Sequence, residues 1–315
     1  MIEIKHLTKR YGSHTAVEDL NLTLEPGRIY GFLGPNGAGK STTMNMITGY
    51  LGATEGEVKI NEYDIFKQPE EAKQCIGYLP ELPPLYQEMT VTEYLSFVAE
   101  LKKIKKADRK AEVEKVIEKI SLGDVKDRLI RNLSKGYKQR VGLAQAIMGD
   151  PDFIILDEPT VGLDPKQILE IRDLIKELGQ EHTVILSSHI LTEISAVCEH
   201  VFIISKGKLV ASDTTENLVG LMSGSQEIEM VVKGQQEAVK NILHTIGKIS
   251  NIEMLSSEKE AECHLKVYSI KGVDIREDIF QAFSEAKSPI LEMHTVTKSL
   301  EDVFLELTQE GEQES

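Results

Sequence analysis

The run Gly34-Pro35-Asn36-Gly37-Ala38-Gly39-Lys40-Ser41 has the spacing GxxxxGK[ST], and Thr42 extends it. Glycines at these positions let the backbone curl through Asn36, Gly37 and Ala38, so that successive N–H groups face a phosphate. A helix is predicted from Ser41 to Ile47, and its N-terminus adds positive potential at the same place. Lys40 is then expected to reach the β- and γ-phosphates of a nucleoside triphosphate, with the Ser41 hydroxyl on Mg²⁺. A second pair, Asp157-Glu158, follows the apolar run Phe153–Leu156. Carboxylates at the end of a core strand stand where α/β sheets hold ligands. Asp157 suits the Mg²⁺ shell, and Glu158 suits a base that takes a proton from attacking water.

These groups need strands that end together. Ile29–Leu33, Phe153–Leu156, Val184–Leu186 and Val201–Ile204 are short apolar runs bounded by Gly, Pro, Asp or Ser. They read as strands buried on both faces of a largely parallel sheet. Thr90 and Glu93 form a capping-box pattern, and Tyr94, Phe97, Val98 and Leu101 follow at helical spacing. Val113, Val116, Ile117 and Ile120 repeat the pattern, so residues 85–150 read as a helical insertion. Past residue 220 the texture changes to strand, helix, two strands, helix, strand, a ferredoxin-like order. A terminal helix through Leu300, Val303, Phe304 and Leu307 is expected to close it. The fold class is therefore α/β: a P-loop core with a parallel sheet and helical insertion over 1–220, and a small α+β domain over 221–315.

Composition narrows the function. The 315 residues carry a formal charge of −15, a poor match for nucleic acid or anionic lipid, both of which need clustered cations. No run reaches the roughly 18 uncharged apolar residues of a membrane helix, and the first ten residues lack a signal-peptide core. Three cysteines, none in a CxxC pair, fit a reducing cytoplasm.

Further motifs make the chain resemble, over residues 1–220, the ATPase subunit of an ATP-binding-cassette (ABC) transporter. Leu133-Ser134-Lys135-Gly136-Tyr137 through Arg140 is similar to that family's signature, Pro159–Asp164 to its D-loop, and Ser187-Ser188-His189 to its switch histidine. Tyr11 stands where the family stacks an aromatic on adenine. From the residues alone, Ser134 and Asp164 also read as plain helix caps, His189 as a helix-start residue and Tyr11 as a surface aromatic. The resemblance implies ATP and Mg²⁺ as cofactors and His189 beside the γ-phosphate. It also implies a head-to-tail homodimer or heterodimer, in which Ser134 and Gly136 of one subunit complete the ATP site of the other.

Two departures stand out. Glu81 replaces the usual glutamine as a metal-site residue, and Lys135 and Tyr137 replace glycine and glutamine in the signature. Together with the ending Ser299–Leu305 they resemble an exporter branch serving drug, sodium, polysaccharide or gliding-motility systems, the last being nearest. That branch implies a separate transmembrane permease, no nucleic acid, and a cytoplasmic location on the inner face of the membrane, reached only through the partner. A soluble ATPase of the same class acting on nucleic acid or the ribosome is the alternative; the charge and the lack of a long coiled-coil insertion weigh against it. A GTPase reading lacks Asn-Lys-x-Asp, and a kinase reading leaves the signature unused. Lys102, Lys103, Lys105, Lys106, Arg109 and Lys110 form a basic cluster: the solvated face of two helices, or a contact with lipid or the permease. The C-terminal domain carries no chemical motif, and dimerisation or regulation is its expected role.

Overall fold

The computed structural model describes residues 1–222, 227–255, 262–270 and 273–296. The chain divides into two compact units, one from Met1 to Thr215 and one beginning at Glu216.

The first unit opens with strands β1 (Ile2–Tyr11), β2 (His14–Leu24) and β3 (Ile29–Leu33), then helix α1 (Lys40–Ile47). Strands β4 (Glu55–Ile60) and β5 (Tyr63–Asp64), helix α2 (Pro69–Gln74) and strand β6 (Ile76–Leu79) follow. The helical part holds α3 (Val91–Leu101), α4 (Arg109–Lys119) and α5 (Lys135–Ile147). The unit ends through β7 (Phe153–Asp157), α6 (Pro165–Gly179), β8 (Thr183–Ser188), α7 (Leu191–Ser195), β9 (His200–Ser205) and β10 (Lys208–Thr214).

The expected parallel sheet is present. Its order is β10-β9-β3-β8-β7-β6, with every pair parallel except the antiparallel edge strand β10. Strands β3, β7 and β8 are buried at every residue, which explains their unbroken apolar runs. A second sheet, β2-β1-β4-β5, is wholly antiparallel and was not anticipated as a separate layer. Its strands bury one face and expose the other, so their mixed polarity hides them from a search for continuous apolar runs. Ile2, Ile4, Leu20 and Val58 from this sheet share a core with Phe32, Phe153 and Phe202 of the first. Tyr11 is the last residue of β1 and pairs with His14 across the hairpin.

In α3 the Thr90–Glu93 capping box is complete. The predicted stripe drifts, however. Tyr94, Leu95, Val98 and Ala99 are buried, whereas Leu101 is 64% exposed. Leu101 faces a groove of about 600 Å³ shared with Tyr86, Phe97 and Lys102, so its apolar character marks a wall and not the core.

In the second unit, α8 (Thr215–Met222), which begins at the boundary residue, precedes β11 (Glu227–Lys233) and α9 (Gln236–His244). Then come β12 (Ile249–Leu255), β13 (Glu262–Ser269), α10 (Arg276–Glu285) and β14 (Ile290–Val296). The antiparallel order β12-β13-β11-β14 is the ferredoxin-like arrangement. Ile228, Met230 and Leu265 of the sheet pack against Val239 and Leu243 of α9 and Ile279 and Phe283 of α10. The expected helix through Leu300–Leu307 lies outside the described residues.

Candidate functional site

Parallel register brings three strand ends to one level. Leu33 pairs with Ser188, and Asp157 with Ser187, so the loops after β3, β7 and β8 leave the sheet side by side. Such carboxyl-end crevices hold ligands in open α/β sheets. The cleft there, about 530 Å³, is lined by Tyr11, His14, Asn36, Gly37, Gly39, Lys40, Ser41, Thr42, Glu81, Glu158 and His189. Gly34 and Ala38 are buried in the floor of the loop. Gly39 has φ +105° and leaves room for no side chain: an added Cβ would lie 2.6 Å from the Ala16 carbonyl oxygen. No side chain caps α1 at Gly39, so its first N–H groups face the cleft as an anion site.

Lys40, Asp157 and Glu158 are buried together, and the more exposed His189 joins them from the rim. Lys40 is 5% exposed; its Nζ donates to the Gly34 and Pro35 carbonyls at 2.8 and 3.3 Å and lies 3.4 Å from Glu158 Oε1. Glu158 Oε2 lies 3.0 Å from His189 Nδ1. Glu158 turns the chain with φ +47°, a left-handed conformation uncommon for a residue with a side chain. Ser187 fixes this turn: its Oγ accepts the Glu158 N–H at 3.0 Å and donates to Asp157 Oδ1 at 2.6 Å. Ser41 Oγ donates to the same Asp157 oxygen at 3.1 Å. Burial pushes the Asp157 carboxyl above the usual carboxylate range, only partly opposed by hydrogen bonds from Ser187 and Ser41.

Two predicted residues are not in this cleft. Ser134 caps α5, its Oγ accepting the Tyr137 N–H at 3.4 Å, and an added Cβ at Gly136 would meet the Gln167 side chain at 2.7 Å. They sit at the start of α5, against the first turn of α6. The basic cluster is in large part a solvated face, with Lys103, Lys105, Lys106 and Lys110 exposed. Lys103 pairs with Glu70 and Arg109 with Glu100, while Lys102 Nζ donates to the Ile76 carbonyl and is held below its usual range by burial. Ser187 and Thr160 fell within the switch-histidine and D-loop stretches without a role of their own, and Glu193 lay outside every motif read from the sequence. The contact of Ser187 with Asp157 had no local sign beyond a hydroxyl ending a buried apolar strand, and Glu193 looked like an ordinary acid at the start of a short helix.

Residues 17–161 match the protein family described as ABC transporter. The chain is 35% identical over 309 residues to the bacitracin transport ATP-binding protein BcrA of Bacillus licheniformis, covering 98% of this chain and 97% of that one. It is 30% identical over 312 residues to the linearmycin resistance ATP-binding protein LnrL of Bacillus subtilis, covering 98% of each. It resembles the dimeric structure of a post-hydrolysis ATP-binding cassette bound to ADP and Pi with TM-score 0.62 and 25% identity, over 68% of this chain and 98% of that one. The cleft, the family match and full-length relatives agree: this chain belongs to the ABC transporter family, as an ATP-binding and ATP-hydrolysing subunit.

Proposed function

We propose that this subunit hydrolyses MgATP between two cassettes and so energises export through a separate membrane permease. The observation that carries this reading is a division within the chain. Tyr11, the phosphate loop, Glu81, Glu158 and His189 share one cleft, while Ser134 and Gly136 present a second helix N-terminus elsewhere. A second cassette, the same chain or a homologue, brings that N-terminus to the open side of the triphosphate. In this arrangement Tyr11, 51% exposed, stacks on adenine. The N–H groups from Asn36 to Thr42 and the Lys40 ammonium hold the β- and γ-phosphates.

Ser41 and Asp157 fit Mg²⁺: two hard oxygens 3.1 Å apart, one a carboxyl whose burial leaves it short of positive charge. Glu81 lines the same space and supplies a further oxygen. Bound there, the cation would neutralise charge on the β- and γ-phosphate oxygens. Phosphate oxygens compete with Glu158 for Lys40, which releases Glu158 to accept a proton from water. His189, already 3.0 Å from Glu158, orients that water toward the γ-phosphate. Closure of the dimer around two triphosphates, then loss of the γ-phosphate contacts, forms the working cycle.

The relatives named for bacitracin transport and linearmycin resistance support the drug-linked exporter branch. Among the described residues no helix is long and apolar enough to cross a membrane, which fits reliance on a permease at the inner membrane face. We assign the region over 221–315 a dimerising or regulatory role. The test is Glu158→Gln. Hydrolysis should fall by about 100-fold or more while ATP-bound dimer accumulates on size exclusion; turnover at the wild-type rate would remove Glu158 from the mechanism.

A further inference from the structure

Glu193 is a carboxylate only 5% exposed, in the short helix α7, and among the described residues no cation is within ion-pair distance of it. Its Oε2 accepts two hydrogen bonds, from Thr160 Oγ1 at 2.6 Å and Ser188 Oγ at 2.9 Å. Both donors are themselves buried. Ser188 Oγ in turn accepts the Ile190 N–H at 3.0 Å. Thr160 lies two residues after Glu158, and Ser188 lies immediately before His189.

A carboxylate whose only task was to complement the start of α7 would do so in solvent, without the burial penalty that an acid lacking a cationic partner carries. Buried, this one does something a solvated acid would not. It joins the segment that leaves Glu158 to the segment that delivers His189, close to the place where those two side chains meet at 3.0 Å.

We propose that Glu193 is a positioning residue that fixes the Glu158–His189 contact. This rests on the roles given above to Glu158 and His189. One acceptor oxygen holds both hydroxyls, so the two loops move as a unit. Without it each hydroxyl loses its acceptor and the loops relax separately. Misplacement of a reacting group by about 1 Å costs on the order of 100-fold in rate, and loss of an outer supporting contact commonly costs about 10- to 100-fold.

The experiment measures kcat and KM for MgATP hydrolysis by the full chain carrying Glu193→Ala or Glu193→Gln, each alone and combined with Glu158→Gln. Glu193→Ala should lower kcat about tenfold or more with KM within about twofold. The amide oxygen of Glu193→Gln still accepts both hydroxyls, so its kcat should stay within about threefold of wild type. In the Glu158→Gln background Glu193→Ala should cause no further loss, because the geometry it protects no longer serves a base. Wild-type kcat in Glu193→Ala, or an equal proportional loss in both backgrounds, overturns the inference while leaving the Glu158 assignment intact. Full activity in Glu158→Gln overturns the assignment of the base itself, and this inference with it. If Glu193→Ala does not fold, Ser188→Ala carries the test: a tenfold fall in kcat at unchanged KM supports the link, and wild-type kcat refutes it.

Discussion

Ser187→Ala tests the electrostatic reading of the site at its centre. Ser187 is fully buried and holds two neighbours at once: it donates to Asp157 at 2.6 Å and accepts the backbone N–H of Glu158 at 3.0 Å. A hydrogen bond to a charged acceptor contributes about 1.5–3 kcal/mol, and a buried N–H left without an acceptor costs about 1–3 kcal/mol. Taking the lower part of each range gives a loss of about 3 kcal/mol. For a unit of this size that lowers the melting temperature by about 6–12 °C. Urea denaturation of the nucleotide-free protein, followed by tryptophan-independent far-UV dichroism because the chain has no Trp, measures the loss directly. The mechanism also predicts coupling. A charge-assisted hydrogen bond is about twice as strong as a neutral one, while the cost at the Glu158 N–H is unchanged, so the loss should shrink to roughly two-thirds in an Asp157→Asn background. A loss below about 1 kcal/mol, or the same loss in both backgrounds, would show that Ser187 is not the shared anchor.

Two further outcomes follow from the same geometry. Gly77→Ala should destabilise by about 3 kcal/mol or more, since its Cβ would press on the Ala146 carbonyl, 2.7 Å from that carbon and 3.1 Å from Pro151 Cγ, and α5 would have to move. Gly123→Ala meets nothing within 4 Å and serves as the control; equal urea midpoints for the two variants would contradict the packing of β6 on α5. Asp157 sets a pH dependence. Its folded carboxyl binds a proton more tightly than the unfolded one, so its favourable contribution is complete below the unfolded value near 3.8 and disappears as pH rises through the raised folded value. Asp157→Asn should therefore gain stability relative to wild type as pH increases across that window in nucleotide-free protein. A difference that stays flat from pH 4 to 7, or slopes the other way, would rule out burial as the dominant influence on this carboxyl.

Much of the catalytic apparatus was legible in residue order. GxxxxGK[ST] demands a curled backbone and a helix start, and Gly39, Lys40 and Ser41 are found there because few other residue types tolerate that curl. The unbroken apolar runs before Leu33, Asp157 and Ser188 announced strands buried on both faces, since only such strands need apolar residues at every position. The Asp164-Pro165 cap and the Thr90–Glu93 box are local devices, closed by residues three apart, and they formed as read.

What the order of residues could not convey is which groups meet. Ser187 touches Asp157 because β7 and β8 are parallel neighbours in one register, a relation between segments 30 residues apart that no local spacing encodes. Glu193 reaches Thr160 through the same long-range geometry. The antiparallel layer stayed hidden because a half-solvated sheet mixes polarities. The basic cluster lies on a solvated face, as one of its two readings expects, but its partners were not legible because they lie elsewhere in sequence, as Glu70 does for Lys103. Local steric and hydrogen-bonding demands write themselves into neighbouring residues; proximity between distant segments is decided only when the sheet assembles.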